Sequence, residues 1–127
     1  GGRAGGAAGL AFSKTRTGMV MGVERRRALS ASNTGGVSGA GIRPIAVRMV
    51  GEVCSAVNMP VIGMGGITSA EDVLEFMIAG AAAVQVGTAN FTDTMAMPKI
   101  IKGLNGWLDM HGIADVNEIC GTLKLNG

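Results

Sequence analysis

The sequence predicts an α/β fold of about three βα units, and three observations lead there. Short apolar runs at Val61–Met64 and Ala83–Val86 alternate with stretches of helical periodicity, as in βαβ units with a parallel sheet. Roughly twenty residues separate the two runs, enough for one crossover helix. Each run ends in a glycine-bearing turn, Gly65-Gly66 or Gly87-Thr88, on the side where parallel α/β folds bind ligands.

The elements follow in order. Residues 1–8 carry no periodic signal and read as a loose lead-in. Gly9–Ser13 is a candidate short strand through the alternation of Leu10 and Phe12. No element is expected from Lys14 to Gly39; residues 15–39 read as one long loop, a length that marks function or disorder in a compact domain. Ile42, Ile45, Ala46, Met49, Val50, Val53 and Val57 recur at helical spacing, and Pro44 suits a first turn. A helix from about Arg43 to Val57 is therefore expected. The buried strand Val61–Met64 follows Pro60. Thr68-Ser-Ala-Glu71 fits a capping box, opening a helix from about Ser69 to Ala79. Its stripe is Ala70, Val73, Leu74, Met77 and Ile78, with Asp72 and Glu75 outward and Gly80 as the stop. After the strand Ala83–Val86, Asp93 or Thr94 caps a last helix from about Pro98 to Met110. Ile100, Ile101, Leu104, Trp107 and Leu108 form its apolar face. Val116–Gly121 reads as one further turn.

Composition narrows the class. The chain has 127 residues, 47% of them hydrophobic and 22 of them glycine. That is too apolar for disorder and lacks a collagen period, so 1–127 is expected to be a single partial domain. Its apolar runs fall short of the ~20 residues that span a bilayer, no secretory signal pattern occurs in order, and no membrane partner is expected. The net charge of +2 is unevenly spread. Residues 1–50 hold eight Arg/Lys against Glu24 alone, giving +7, while the rest holds three against eight, giving −5. Arg25-Arg-Arg27 is read as a solvated loop rather than a nucleic-acid site, since no aromatic residue interleaves with it. Cys54 and Cys120 are isolated and His111 is the sole histidine, which excludes a structural zinc pattern and suits a reducing cytoplasm.

No residue reads as an acid, base or nucleophile. His111 is a cation near a helix end, Cys54 a small core residue, and the nine methionines core filler. The chemistry-bearing features are the turns. Gly65-Gly66 and Gly87-Thr88 each offer successive backbone N–H groups, and Thr88 adds a hydroxyl. Together with the start of the helix after Gly66, they suit a phosphate. Two such turns on neighbouring strands recur at the last strands of a (β/α)8 barrel. Neither a P-loop nor G-x-G-x-x-G is present, which disfavours a Rossmann nucleotide site.

Three stretches carry a resemblance: Thr34-Gly-Gly-Val-Ser-Gly-Ala-Gly-Ile-Arg-Pro-Ile-Ala-Val-Arg-Met-Val50, Pro60-Val-Ile-Gly-Met-Gly-Gly-Ile67 and Ala83-Val-Gln-Val-Gly-Thr-Ala-Asn-Phe91. In order and spacing, over about residues 6–121, they closely resemble the C-terminal part of dihydroorotate dehydrogenases, best the class 1B, NAD-linked catalytic subunit. The resemblance implies the C-terminal portion of a (β/α)8 TIM barrel that binds FMN and oxidises dihydroorotate to orotate in pyrimidine synthesis. It implies a partner subunit carrying FAD and an iron–sulfur cluster, an oligomeric full-length form and a cytoplasmic setting. Gly65, Gly66, Gly87 and Thr88 would hold the FMN phosphate, and Gly39 would approach FMN through its backbone. The stretch Gly9–Met19 corresponds to the sixth strand and its loop, which places residues 15–39 on the active-site side. The family's Ile-Asn-Thr becomes Ser13-Lys14-Thr15 here. Ser13 would lie near FMN and Lys14 and Thr15 on the substrate, although Lys14 lacks the acceptor of an Asn.

The family's earlier strands carry the flavin-contacting lysines and asparagines and the loop with the cysteine base; neither Cys54 nor Cys120 occupies that place. The chain opens at Gly1 and reads as a C-terminal fragment or truncated homologue, expected not to turn over dihydroorotate alone. Two other readings compete: a dihydropyrimidine dehydrogenase-like flavin domain and a non-catalytic phosphate- or flavin-binding half-barrel. Val86-Gly87-Thr88 favours dihydroorotate dehydrogenase over the former, which more often has Cys at the middle position.

Overall fold

Residues 5–12 and 16–127 are described by a computed structural model. Ser13, Lys14 and Thr15, the proposed flavin and substrate triplet, lie outside the described residues, as do the first four residues of the lead-in. A three-stranded parallel sheet forms the centre, in the order β1 (Leu10–Phe12), β6 (Val61–Met64), β7 (Ala83–Gln85). Leu10 sits opposite Val61, and Ile62 opposite Ala83. Val61 and Gly63 are buried while Ile62 and Met64 are half-buried, the two-residue alternation that a pleated strand imposes.

Helix α1 (Arg43–Ala56) leads into β6, and α2 (Ala70–Ile78) joins β6 to β7, so two expected βα units are present where the periodicity placed them. Pro44 stands in the first turn of α1, where its missing N–H costs nothing. Helix α2 ends at Gly80 (φ 120°), whose N–H reaches Met77 O while Ala81 N–H reaches Phe76 O. This is the glycine stop expected there. After the four-residue helix α3 (Ala89–Thr92), helix α4 (Ala96–Met110) lies against α2, and a 3-10 turn at Val116–Ile119 follows.

The core lies between the sheet and α1, α2 and α4. Val50, Val61, Phe76 and Ala81 are its most enclosed members, with Ala46, Ile67, Val73, Met77 and Ile100 around them. Phe76, absent from the expected stripe, is 0% exposed. Its ring fills the space a Cβ on Gly63 would need, with Cδ1 2.6 Å from that position. Gly63 is thus the hollow into which the largest core side chain fits.

Several expectations are corrected. The stretch 14–39, read as featureless, contains two small antiparallel ladders: β2 (Arg16–Gly18) with β5 (Gly35–Val37), and β3 (Met21–Gly22) with β4 (Arg27–Ala28). Runs of two or three residues are too short to show a period. Helix α4 starts earlier than Pro98, after α3, and no side chain caps it; Asp93 Oδ1 instead accepts from Met95 N at 2.9 Å. On its face, Ile101 is 53% exposed. The methionines are not core filler as a group: Met77 is buried, but Met19, Met21, Met95, Met97 and Met110 are exposed.

Candidate functional site

The start of α2 is where the sequence reading needs its largest revision. The capping box is Ser69 with Asp72, one residue beyond the expected Thr68 and Glu71. Ser69 Oγ accepts from Asp72 N at 3.3 Å, and Asp72 Oδ2 accepts from Ser69 N at 3.1 Å. The same Oδ2 accepts from Thr68 N and from Thr68 Oγ1, both at 2.9 Å. Asp72, expected on an exposed face, is 4% exposed, while Glu75 is exposed as expected. The helix start therefore satisfies these donors internally and does not hold them out for a ligand.

Among the described residues, donors without a backbone partner lie in the glycine turns. Gly65 (φ 123°) and Gly66 (φ 75°) both have backbone conformations that side chains disfavour. The N–H groups of Gly65, Gly66, Gly87 and Thr88 donate to no backbone acceptor among the described residues. The Thr88 hydroxyl likewise makes no hydrogen bond among them. All four residues line one cavity of about 560 Å³, together with Gly39, Ser38, Thr68 and Thr92. Its volume falls in the ~300–1,000 Å³ range of small-molecule sites. Gly39 (φ 98°) and Gly87 have nothing within 4 Å of where a Cβ would stand, so their backbones face open space. No charged residue lines the cavity among the described residues. An anion there would be held by N–H dipoles and hydroxyls, as in backbone nests.

Gly39, Gly65, Gly66, Gly87 and Thr88 are thus brought together around one cavity. The sequence reading missed Ser38 and Thr92 as lining residues, and Thr68 was read only as a cap. It also missed Arg43, whose Nη1 donates to Asp72 Oδ1 at 2.6 Å. Glu75 Oε2 lies 3.3 Å from Arg43 Nε, near enough for charge attraction without a hydrogen bond. His111 follows the last residue of α4, with its ring stacked on Trp107 at 3.9 Å between centroids. Cys54 is half-buried beneath Gly80, with burial pushing its thiol up, and Cys120 Sγ donates to Ala81 O. These three residues do not line the cavity.

Burial opposes the charge on Asp72, but the Thr68 N–H and hydroxyl, the Arg43 guanidinium and Ser69 together outweigh it and hold the carboxyl below its ordinary range. A carboxyl depressed in the folded state stabilises above the unfolded pKa of ~3.9, and that share is lost as pH falls through the lower folded value. Urea stability is therefore expected to drop below about pH 4, with Asp72→Asn showing a shallower acid limb. An identical acid limb in the variant would remove Asp72 as a cause.

Comparison with known proteins gives this geometry a context. The family model for dihydroorotate dehydrogenase matches residues 5–108. The chain is 52% identical over 118 residues to a dihydroorotate dehydrogenase B (NAD(+)) catalytic subunit of Geotalea uraniireducens, covering 93% of this chain and 39% of that protein. A catalytic subunit of the same description from Bacteroides fragilis is 48% identical over 122 residues, covering 96% of this chain and 40% of that one. The chain thus spans about two fifths of the length of these relatives. A crystal structure of the Eimeria tenella dihydroorotate dehydrogenase in complex with ferulenol superposes with a TM-score of 0.76 at 26% identity, covering 95% of this chain and 32% of that one. The β1-β6-β7 sheet with its helices is accordingly a portion of that barrel, and the chain belongs to the dihydroorotate dehydrogenase family.

Proposed function

We propose that this chain forms the phosphate-holding side of an FMN site in an NAD-linked dihydroorotate dehydrogenase. One observation carries the reading: four N–H groups without backbone acceptors among the described residues, at the ends of two adjacent parallel strands, belong to residues that line a single cavity. Gly65, Gly66, Gly87 and Thr88 would hold the phosphate, with Gly39 alongside through its backbone. Ser13 would lie beside the flavin and Lys14 and Thr15 at the substrate. FMN, when bound, supplies the redox chemistry that converts dihydroorotate to orotate. What this chain's own residues contribute is to bind and orient the phosphate end and to line its cavity with small, uncharged groups. The residues that would act as base and contact the ring are not among those placed here, so the chain alone is not expected to turn over dihydroorotate. An electron-transfer subunit with FAD and an iron–sulfur cluster, a cytoplasmic setting and an oligomeric complete enzyme complete the proposal.

Titration with FMN and with riboflavin, read by quenching of flavin fluorescence, tests it. Binding of FMN at least about tenfold tighter than riboflavin is expected, because only FMN offers a charge for the N–H cup. Equal affinity for the two would overturn the phosphate reading. Turnover of dihydroorotate by the isolated 127-residue chain with FMN would overturn the statement that the cup works only with groups from elsewhere.

A further inference from the structure

Asp72 joins two parts of the cavity wall that lie far apart in the chain. One oxygen holds Thr68 and Ser69, which directly follow the Gly65-Gly66-Ile67 turn. The other holds Arg43, the first residue of α1, which follows the Gly39–Ile42 turn. The two turns also touch through their backbones. A Cβ on Gly66 would stand 2.7 Å from Arg43 N and 2.9 Å from Gly39 O. Neither Asp72 nor Arg43 lines the cavity, so neither meets a ligand there. Their bond spans 29 residues of sequence and is more than a local cap requires, since Ser69 and Thr68 already satisfy the helix start.

We infer that Asp72 and Arg43 are positioning residues for the phosphate cup. The ion pair fixes the spacing between the Gly39 turn and the Gly65-Gly66 turn, and thereby the preference for a phosphorylated flavin over its unphosphorylated form. This rests on the FMN reading and adds the pair that makes the cup selective. A charge pair suits the task because its short bonds are directional, and a misplacement of about 1 Å is enough to weaken a preorganised site. Groups that orient the ligands of metal sites are worth about 10- to 100-fold in metal affinity or activity, and an effect at the lower end of that range is expected here.

The test compares the ratio of riboflavin to FMN dissociation constants with urea stability, on the full chain, for the wild type and for Arg43→Ala, Arg43→Lys and Asp72→Asn. Arg43→Ala is expected to lower the ratio about tenfold, through weaker FMN binding with riboflavin affinity unchanged. Arg43→Lys, which keeps the charge, is expected to restore most of it. A purely structural role would weaken both flavins alike and leave the ratio fixed. Should Arg43→Ala fail to fold, Asp72→Asn is read in its place, since it preserves shape and one acceptor. A preserved ratio in folded variants that have lost stability would overturn this inference while leaving the FMN reading intact. A wild type that does not distinguish the two flavins would overturn the FMN reading, and this inference with it.

Discussion

Gly66→Ala is expected to destabilise the chain by roughly 2–5 kcal/mol and to abolish selective FMN binding. The added Cβ would lie 2.7 Å from Arg43 N and 2.9 Å from both Arg43 Cβ and Gly39 O. Two of these three atoms are backbone, so no rotamer change relieves the contact. The φ of 75° adds strain of its own for any residue with a Cβ. Relief requires the Gly39 turn to move away from the Gly65-Gly66 turn, which opens the cup. Gly87→Ala is the control, because its Cβ meets nothing within 4 Å, and its stability is expected to stay within about 0.5 kcal/mol. Urea midpoints for both variants check this; equal midpoints would show that the two turns are not in backbone contact.

Phe76→Ala is expected to cost about 3–5 kcal/mol, a large share of the ~5–15 kcal/mol that holds a small domain together. The ring is 0% exposed and belongs to the same cluster as Val50, Val61 and Ala81. Its fit against Gly63 supplies a second arm. Gly63→Ala alone brings a Cβ to 2.6 Å from Phe76 Cδ1 and is expected to cost about 1–3 kcal/mol. In the Phe76→Ala background the ring it strikes is gone, and the same change is expected to cost less. Denaturant unfolding followed by circular dichroism measures all three; additive losses would mean that Phe76 and Gly63 do not share one space.

Elements with an apolar run or a helical period in their own residues were legible in the sequence, and the two- and three-residue antiparallel ladders and the side-chain pairings that depend on distant partners were not. Strand β6 lies at Val61–Met64 as read, and α1 ends within a residue of expectation, because apolar periodicity and Pro44 are local signals. The cap of α2 was misplaced by one residue because Thr68-Ser-Ala-Glu71 and Ser69-Ala-Glu-Asp72 fit the same pattern. Asp72 wins because its short side chain also reaches Thr68 N and Arg43. Nothing within ten residues of Asp72 announces that Arg43 will cover it. Phe76 escaped for a related reason: its slot is a glycine on a neighbouring strand. At the cavity, the glycine turns were visible as paired residues at strand ends. The closing wall from β5 was not, since a ladder pairing Arg16 with Val37 depends on contacts between residues 21 positions apart.

The sheet order holds the two walls of the cavity differently. Strand β6 has a bonded neighbour on each side, so its amides are expected to be among the slowest in the sheet to exchange with solvent. Gly65 and Gly66 hang directly from that strand. The opposite wall, at Gly36 to Gly39, continues from β5, whose ladder with β2 is three residues long on a two-stranded sheet. Such a ladder opens locally at a small fraction of the global unfolding free energy. Hydrogen exchange at Gly35 to Val37 is therefore expected to outpace that at Ile62 to Met64, while the Gly39 end of the same wall stays tied to α2 through Arg43 and Asp72.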